Sequence, residues 1–317
     1  MRSFVIGGAG FIGSHLVDRL VQRGPVTVFD NLSCGRREFI QPHLTSGAAQ
    51  LIVGDALDLD HLARSIADHD TVFHLAANPE ARHGLLNTRL DLEVGTIATY
   101  NVLEAMRRNN VYTIVFSSSG TVYGETDQAC AEEDLGNLPI SLYGASKMAG
   151  EAMISAFVEC FQFRAKIYRF GNVVGPRGTH GAALDFLNRL KADPSHLHVL
   201  GDGRQSKPYL FVTDCADGIL FGLDHTPPEQ KLAVYNLAPP DTTSVARIAE
   251  LCVHASPNPN AAIHFAGGDR GWPGDVPRSR MNAARLKRLG FQLRMTSDEA
   301  VTAAVSALAE QVFGPPA

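Results

Sequence analysis

The sequence predicts an α/β fold, with a doubly wound parallel sheet and a smaller, mixed lobe that is less regular. Two observations support this prediction. Short apolar runs alternate with segments of helical periodicity, which is the pattern of parallel strands joined by helices. A glycine-rich turn, GGAGFIG at positions 7–13, separates the first apolar run from the first helical segment. The chain has 317 residues, 45% of them hydrophobic, which suffices for one large domain or two modest ones.

The elements follow in order along the chain. Residues 4–6 predict a short buried strand, and residues 11–22 predict a helix that Gly24-Pro25 ends. Further strands are predicted at residues 26–29, 50–53, 71–75, 112–116 and 164–169, and helices at residues 90–107, 143–159 and 183–190. Ligands bind at the carboxyl ends of parallel strands. The residues predicted to lie at those ends are Gly7, Asp30, Asp55, Ala76 and Ser119.

Composition and charge exclude several classes of protein. Lys and Arg number 28 against 33 Asp and Glu, a net charge of −5, so we expect neither nucleic acid nor an anionic membrane as a partner. The segment before the first glycines is too short for a signal peptide. The five cysteines are dispersed, with no CxxC pair, so we expect no metal site and no disulfide framework. A reducing, cytoplasmic location is the expectation.

The glycine turn predicts a dinucleotide site. Gly7, Gly10 and Gly13 follow a strand and open a helix, where backbone N–H groups bind a pyrophosphate. Asp30 ends the next strand, where its carboxylate can accept hydrogen bonds from a ribose diol and repel a 2′-phosphate. NAD is therefore expected rather than NADP, although Arg36 and Arg37 lie close by. A plain strand-end turn residue is the alternative for Asp30.

A tyrosine and a lysine one helical turn apart predict a phenol that can lose its proton. Tyr143 and Lys147 open the helix after the fifth strand and share one of its faces. Ser119, the last of three consecutive serines, can hold a substrate oxygen near the phenol. The alternatives are a chance match for the YxxxK spacing and an ordinary polar strand end for the serines.

These motifs together resemble the extended short-chain dehydrogenase/reductases. Within them, the chain is most similar to the NAD-dependent nucleotide-sugar epimerases and dehydratases, and especially to the UDP-glucose (UDP-galactose) 4-epimerases. The segments that carry the resemblance are GGAGFIGSHL, FDNLS, GDALD, FHLAA, FSSSGTVYGE, SLYGASKMAGE, RFGNVVGPR and GDGRQSKPYLFVTDCADG. The resemblance implies a Rossmann-type NAD-binding domain at residues 1–173, to which 208–237 return. Residues 174–207 and 238–317 would form the substrate-binding lobe.

The resemblance also assigns roles to individual residues. Ser119, Tyr143 and Lys147 would be the catalytic residues. The residues that it places on NAD are Gly7, Gly10, Phe11, Ile12, Gly13, Asp30, Asn31, Asp55, Ala56, Ala76 and Ala77, together with Tyr143 and Lys147. For Asp55, a helix N-cap remains an alternative of equal weight. The residues implied for the substrate are Ser119, Asn172, Lys207, Arg270 and Ser279.

The chain departs from the family pattern at three places. Lys207 stands where arginine is common, so a bidentate contact to phosphate is lost. Trp272 occupies the usual position of an arginine before PGD, with Arg270 two residues earlier. Asp91 replaces the usual asparagine four residues before Gly95.

The implied reaction is 4-epimerisation of a UDP-sugar through a 4-keto intermediate, with NAD staying bound. A 4,6-dehydratase is the main alternative, but Gly120-Thr121 occupies the position of its acid and base pair. A 4-reductase that uses NADPH conflicts with Asp30. A non-catalytic NAD(H) sensor conflicts with the presence of both Tyr143 and Lys147.

Two further expectations come from the family. The helices predicted from Leu90 to Arg107 and from Tyr143 to Glu159 would pair in a homodimer. Five apolar residues on them favour this interpretation over burial against the sheet: Ile97, Tyr100, Met148, Ala152 and Phe157. Ser279 matches a position where a large aromatic excludes 2-acetamido sugars, so a serine predicts that N-acetyl sugars are accepted.

Overall fold

A computed structural model describes residues 1–314 of the chain. Its strands are β1 Ser3–Ile6, β2 Val26–Asp30, β3 Ala49–Val53, β4 Thr71–His74, β5 Thr113–Ser119, β6 Ala129–Cys130, β7 Arg164–Phe170, β8 Asn172–Val174, β9 His196–Val199, β10 Ser206–Lys207, β11 Tyr209–Phe211, β12 Leu232–Leu237, β13 Thr243–Ser244, β14 Ala262–Phe265 and β15 Arg280–Met281.

Helices connect most of these strands. They are α1 Phe11–Leu20, α2 Gln41–Thr45, α3 Leu59–Ile66, α4 Thr88–Asp91, α5 Ala98–Arg108, α6 Leu142–Phe161, α7 Ala182–Ala192, α8 Val212–His225, α9 Val245–His254, α10 Ala284–Arg288 and α11 Ser297–Phe313. A π-helical segment, Leu92–Ile97, joins α4 to α5. Short 3₁₀ turns lie at Arg37–Phe39, Ala81–Leu85 and Gly120–Tyr123.

Seven strands form one parallel sheet in the order β12-β7-β5-β4-β1-β2-β3. The order reverses at β1, so the crevice beside the carboxyl ends of β1 and β4 is the topological switch point at which α/β proteins bind ligands. The doubly wound parallel fold predicted from the sequence is confirmed. The seventh strand, β12, was not among the predicted strands, although residues 208–237 were expected to return to this part of the molecule.

The sheet is buried on both faces. Helices α1 and α8 cover one face, where Leu16, Leu20 and Ile219 pack against Val5 and Tyr168. Helices α3, α5 and α6 cover the other face; their buried residues include Leu62, Val102, Met106, Ile154 and Val158. Because both faces are covered, the strands read as continuous apolar runs rather than as alternating patterns.

A third hydrophobic cluster lies outside the sheet. It is built from α7, α9 and α11, with Phe186, Leu187, Ile248, Val301 and Leu308 among its buried residues. The cluster also includes Tyr209 of β11. The division of the chain at residues 173, 208 and 238 stays a prediction, and the last three residues of its second lobe lie outside the described residues.

Three predicted details are corrected by the structure. The helix from Leu90 to Arg107 is interrupted by the π-helical segment, within which Gly95 lies closely against Ser146 of α6. The fifth strand extends through the three serines to Ser119. Phe157 is buried beside Phe161 and Phe163, so it belongs to the protein's own core and not to an outer face.

No helix within residues 1–314 is both long and apolar enough to cross a membrane.

Candidate active site

The glycine turn between β1 and α1 leaves room and hydrogen-bond donors for a phosphate group. Gly7 has a φ of +79°, and a Cβ there would lie 2.7 Å from the backbone nitrogen of Ala76. A Cβ on Gly13 would lie 2.1 Å from the carbonyl oxygen of Gly7. Gly10 caps α1 without a side chain, so the first N–H groups of the helix face the cavity with the positive end of its dipole. These features fit a dinucleotide pyrophosphate.

The acidic residues at the ends of β2 and β3 line the same cavity as the glycine turn. Asp30 accepts hydrogen bonds from the backbone N–H groups of Ala9 and Leu32, each at 2.9 Å. Burial raises the pKa of Asp30, and these two N–H groups oppose the shift. The side chain of Asn31 donates to Asp55 at 3.0 Å. Each carboxylate oxygen of Asp30 keeps a lone pair that a ribose hydroxyl can use.

The predicted catalytic residues meet where β5 ends and α6 begins. Lys147 is almost fully buried, and its Nζ donates to the carbonyl oxygen of Ser117 at 2.6 Å. The Nζ lies 5.8 Å from the centre of the Tyr143 ring. Ser119 Oγ accepts from the backbone N–H and the hydroxyl of Thr121, at 3.2 and 3.0 Å, and lies near enough to the Tyr143 phenol to lower its pKa. Because Thr121 supplies both accepted bonds, the Ser119 proton is available for the phenol oxygen.

The two ionisable groups of this set have strongly shifted pKa values. Burial raises the pKa of Tyr143 to about 12; the charge of Asp91 adds to this rise and the nearby Ser119 hydroxyl opposes it. Burial lowers the pKa of Lys147 to about 8, against the opposing charges of Glu151 and Asp91. Paired shifts of this size in a cleft are typical of functional sites. The protein without cofactor therefore holds the phenol protonated at neutral pH.

Two cavities meet at Tyr143. The first, which we call the glycine-turn cavity, has a volume of about 220 Å³. All the residues that the sequence assigned to NAD line it: Gly7, Gly10, Phe11, Ile12, Gly13, Asp30, Asn31, Asp55, Ala56, Ala76, Ala77, Tyr143 and Lys147. The second, which we call the serine cavity, measures about 390 Å³ and is lined by Ser119, Tyr143, Asn172, Lys207 and Ser279 among others.

Arg270 is the predicted site residue that lines neither cavity. Its guanidinium is partly exposed and forms ion pairs with Asp269 at 3.0 Å and Glu125 at 3.3 Å. Trp272, two residues later, lines the serine cavity instead. A phosphate contact by Arg270 would therefore require it to leave Glu125.

Lys207, unlike Arg270, is a predicted substrate-binding cation that does line the serine cavity. Its Nζ pairs with Asp275 Oδ1 at 2.5 Å, while Asp275 Oδ2 accepts the backbone N–H of Gly271 at 3.2 Å. Asp275 belongs to the PGD segment, so the loop that was expected to supply an arginine supplies a carboxylate that holds the lysine. An ammonium with three donors keeps two of them for phosphate oxygens.

Several residues of the site were not predicted from the sequence. Thr121 had been noted only for lacking acid-base chemistry, yet it orients Ser119. Ser118 lines both cavities, and its hydroxyl donates to Glu151 at 2.5 Å. Glu151 follows Lys147 by four residues on α6, a spacing that would have marked it as a neighbour on one helix face.

The fold and this site define an enzyme that holds a dinucleotide beside an ionisable phenol, the arrangement of an alcohol–ketone oxidoreduction centre. A sequence profile described as the NAD dependent epimerase/dehydratase family matches residues 3–238. The chain belongs to that family, and NAD is its cofactor.

Similar proteins agree with this placement. The UDP-glucose 4-epimerase of Mycolicibacterium smegmatis is 33% identical over 228 residues, 69% of this chain and 72% of that protein. A crystal structure of a UDP-galactose 4-epimerase superposes with a TM-score of 0.88 at 38% identity, covering 98% of this chain and all of the other. The UDP-glucose 4-epimerase of Thermus thermophilus, in complex with NAD, gives a TM-score of 0.84 at 29% identity, over 97% of this chain and 99% of the other.

Relatives named for a different reaction match over similar lengths. The UDP-N-acetyl-α-D-glucosaminuronate decarboxylase of Bacillus cytotoxicus is 27% identical over 304 residues, 91% of each chain. Similarity within the family therefore extends to proteins named for more than one reaction on UDP-sugars.

Proposed function

We propose that this protein is a 4-epimerase that interconverts UDP-glucose and UDP-galactose, and their N-acetyl forms, through a transient 4-keto sugar. The observation that supports this proposal is the junction of the two cavities. Tyr143 lines both of them, with Ser119 close to its phenol and the buried Lys147 Nζ 5.8 Å from the centre of its ring. A sugar in the serine cavity would present one hydroxyl to the phenol next to the dinucleotide.

The chain's own residues supply proton transfer and positioning. When bound in the glycine-turn cavity, NAD would supply a reversible hydride acceptor for C4 and, in its oxidised form, a positive charge beside the phenol. Tyr143 takes the proton of the C4 hydroxyl and gives it back, while Ser119 holds the same oxygen. Lys147 offers its remaining N–H groups to ribose hydroxyls and favours the phenolate through its charge. Epimerisation then requires that the 4-keto sugar, which is planar at C4, turn over inside the serine cavity.

A 4,6-dehydratase would need a free acid and base near C5 and C6. Gly120 and Thr121 follow Ser119, and neither side chain can take that role. The carboxylates that line the serine cavity are all ion-paired within the described residues: Glu80 with Arg82, Asp185 with Arg189, and Asp275 with Lys207. The pairing supports epimerisation over dehydration.

The same three ion pairs argue for a neutral sugar. A uronate substrate carries a carboxylate, which binding sites neutralise with a guanidinium or ammonium group. In the described part of the chain, the arginines and the lysine that line the serine cavity already have carboxylate partners at 2.5 to 3.0 Å. A uronate carboxylate would therefore meet two arginines that are already neutralised by Glu80 and Asp185, while the remaining donors of Lys207 are assigned to the diphosphate.

For the nucleotide half of the substrate, we propose Lys207 and Asn172 as the contacts to the diphosphate. Both line the serine cavity, and Asn172 lies in β8, which pairs with β11 directly after Lys207. Lys207 is fixed by Asp275, so it offers a phosphate a positioned rather than a mobile charge.

We also propose that the cavity accepts the 2-acetamido group, because Ser279 borders it beside Met281. A serine leaves space that a tyrosine would fill, and its hydroxyl can pair with the amide. Steric exclusion, rather than attraction, decides discrimination of this kind.

The test of the function is turnover of a panel of UDP-, dTDP- and GDP-sugars, read by the stereochemistry of the product. We expect the purified protein to carry NAD(H) and to interconvert UDP-glucose with UDP-galactose and UDP-N-acetylglucosamine with UDP-N-acetylgalactosamine. Loss of water from the sugar would identify a dehydratase, and bound NAD(H) without turnover would identify a sensor.

The test of the sugar cavity is Ser279→Tyr. We expect this variant to lose activity on the N-acetyl sugars and to keep it on UDP-glucose. Ser206→Ala, on the neighbouring strand that hydrogen-bonds the backbone of Ser279, is the matched control and should change neither activity. Retention of N-acetyl turnover by Ser279→Tyr would refute the role of Ser279.

A further inference from the structure

A buried ion pair lies directly behind the catalytic residues and takes no part in the mechanism above. Glu151, one helical turn beyond Lys147 on α6, forms a bidentate pair with Arg169 of β7. Arg169 Nε donates to Glu151 Oε1 at 2.9 Å and its Nη2 donates to Oε2 at 2.6 Å. The exposed fractions of the two residues are 9% and 1%. Burying such a pair costs a large free energy of desolvation, which only good geometry and further hydrogen bonds can offset.

The third contact of Glu151 leads to the active site. The hydroxyl of Ser118 donates to Glu151 Oε1 at 2.5 Å. Ser118 lies between Ser117, whose carbonyl oxygen accepts from Lys147, and Ser119, which lies near the phenol of Tyr143. Holding Ser118 therefore fixes the strand end that binds Lys147 and borders Tyr143.

Arg169 is itself immobilised. Its Nη1 donates to the hydroxyl of Tyr123 and to the carbonyl oxygen of Glu132, each at 2.9 Å. Tyr123 in turn donates to Asn236 of β12 at 2.7 Å. A fully satisfied polar network of this kind is rigid, because each group has one arrangement that leaves no donor or acceptor unpaired.

We propose that Glu151 is a positioning residue, which acts through Ser118 and Arg169 to hold the end of β5 at the distance from α6 that proton transfer requires. This inference rests on the proposed epimerase function. It assigns to Glu151 no contact with substrate or cofactor.

Glu151 also contributes to the charge balance around Lys147. The groups that face Lys147 are Tyr143 and Glu151 on α6, Asp91 at the end of α4, and His74 on β4. Burial and the nearby charge of Lys147 lower the pKa of His74 to about 3, so His74 is neutral. Both carboxylates raise the pKa of Lys147 against the effect of burial. Removing the charge of Glu151 therefore shifts the loss of the Lys147 proton to lower pH.

The experiment compares Glu151→Gln, Glu151→Asp and Ser118→Ala with Tyr168→Phe. Tyr168 lies beside Arg169 on β7 but points to the other face of the sheet, where its hydroxyl donates to Ile219 at 2.7 Å. Tyr168→Phe is thus a matched control for loss of one buried hydrogen bond. For each variant, kcat, KM, the pH profile, the content of bound NAD(H) and the UDP-induced rise in melting temperature are measured.

We expect Glu151→Gln to lower kcat by about 100-fold, the cost of a small misplacement of reacting groups, with KM and UDP-induced stabilisation unchanged. The alkaline limb of the pH–rate profile of Glu151→Gln should move to lower pH. Glu151→Asp should recover part of the rate. Ser118→Ala should lower kcat more than Tyr168→Phe does, without moving the alkaline limb.

An active wild type with a Glu151→Gln variant that matches Tyr168→Phe in kcat and pH profile would overturn the inference. So would wild-type kcat in Ser118→Ala, which remains decisive if Glu151→Gln fails to fold. A wild type that turns over no UDP-sugar would instead refute the proposed function.

Discussion

At the scale of single residues, Tyr143 is the group on which the proposed chemistry depends most directly. Replacing it with phenylalanine removes the proton acceptor and leaves the ring, so fold and NAD binding should persist. We expect a loss of several orders of magnitude in kcat, measured with UDP-galactose, and an unchanged content of bound cofactor. Retention of a tenth or more of the wild-type rate would exclude Tyr143 as the general base.

Asp91 carries a negative charge at a position where the family resemblance implies an uncharged asparagine. It is buried, and its Oδ1 accepts from Asn78 at 3.1 Å. Its negative charge raises the pKa of both Tyr143 and Lys147. Asp91→Asn keeps the shape and removes the charge, so both limbs of the pH–rate profile should move to lower pH.

The control for Asp91→Asn is Glu93→Gln, two residues away. Glu93 pairs with Arg89 at the surface, at 2.8 Å, and is not among the groups that shift the pKa of Tyr143 or Lys147. We expect its profile to match the wild type. An unshifted profile in Asp91→Asn would show that Asp91 does not set the protonation of the site.

At the scale of elements, the π-helical segment Leu92–Ile97 packs tightly against α6 at Gly95. A Cβ on Gly95 would lie 2.3 Å from Ser146 Oγ and 2.6 Å from its Cβ, and Ser146 Oγ donates to the carbonyl oxygen of Tyr143 at 2.9 Å. Gly95→Ala should therefore push on the first turn of α6. We expect a loss of about 1–3 kcal/mol in stability, the usual cost of overpacking, and a lower kcat.

Gly136→Ala is the control for that variant, because a Cβ at Gly136 meets nothing within 4 Å. Its free energy of unfolding, measured by denaturant titration, should stay within about 0.5 kcal/mol of the wild type, as for most surface changes. If Gly95→Ala had the stability and kcat of the wild type, the π-helical segment would accommodate the methyl group without displacing Tyr143.

The elements also show what the sequence can and cannot reveal. The end of β2 was predictable because its apolar run stops at Asp30, whereas β5 continues three residues beyond its apolar run to Ser119. The π-helical segment was not predictable, because a helix with one extra residue has nearly the same apolar pattern. Arg270 was assigned to the substrate from its charge and position, but Glu125, 145 residues earlier, competes for it. The Glu151–Arg169 pair likewise joins elements whose contact depends on the folded sheet.

At the scale of the whole molecule, we propose that a second copy covers the outer face of α5 and α6. Ile97 and Tyr100 are exposed there, and Phe161 at the end of α6 is 43% exposed. Ala152 is exposed as well, whereas Met148, also expected on this face, is half-buried and packs against the chain's own cluster around Tyr123. Helices that expose several large apolar side chains on one face are typical of subunit interfaces.

The double variant Ile97→Glu with Tyr100→Glu tests this assembly, because it places like charges from both copies in a closed, apolar interface. We expect light scattering at micromolar concentration to give the mass of a dimer for the wild type and of a monomer for the variant. Val53→Glu, which replaces an exposed apolar residue at the end of β3 on the far edge of the sheet, should remain a dimer. A monomeric wild type would contradict the proposal. A Val53→Glu variant that is monomeric would instead place the interface at β3, on the edge of the sheet, and not on α6, which carries Tyr143 and Lys147.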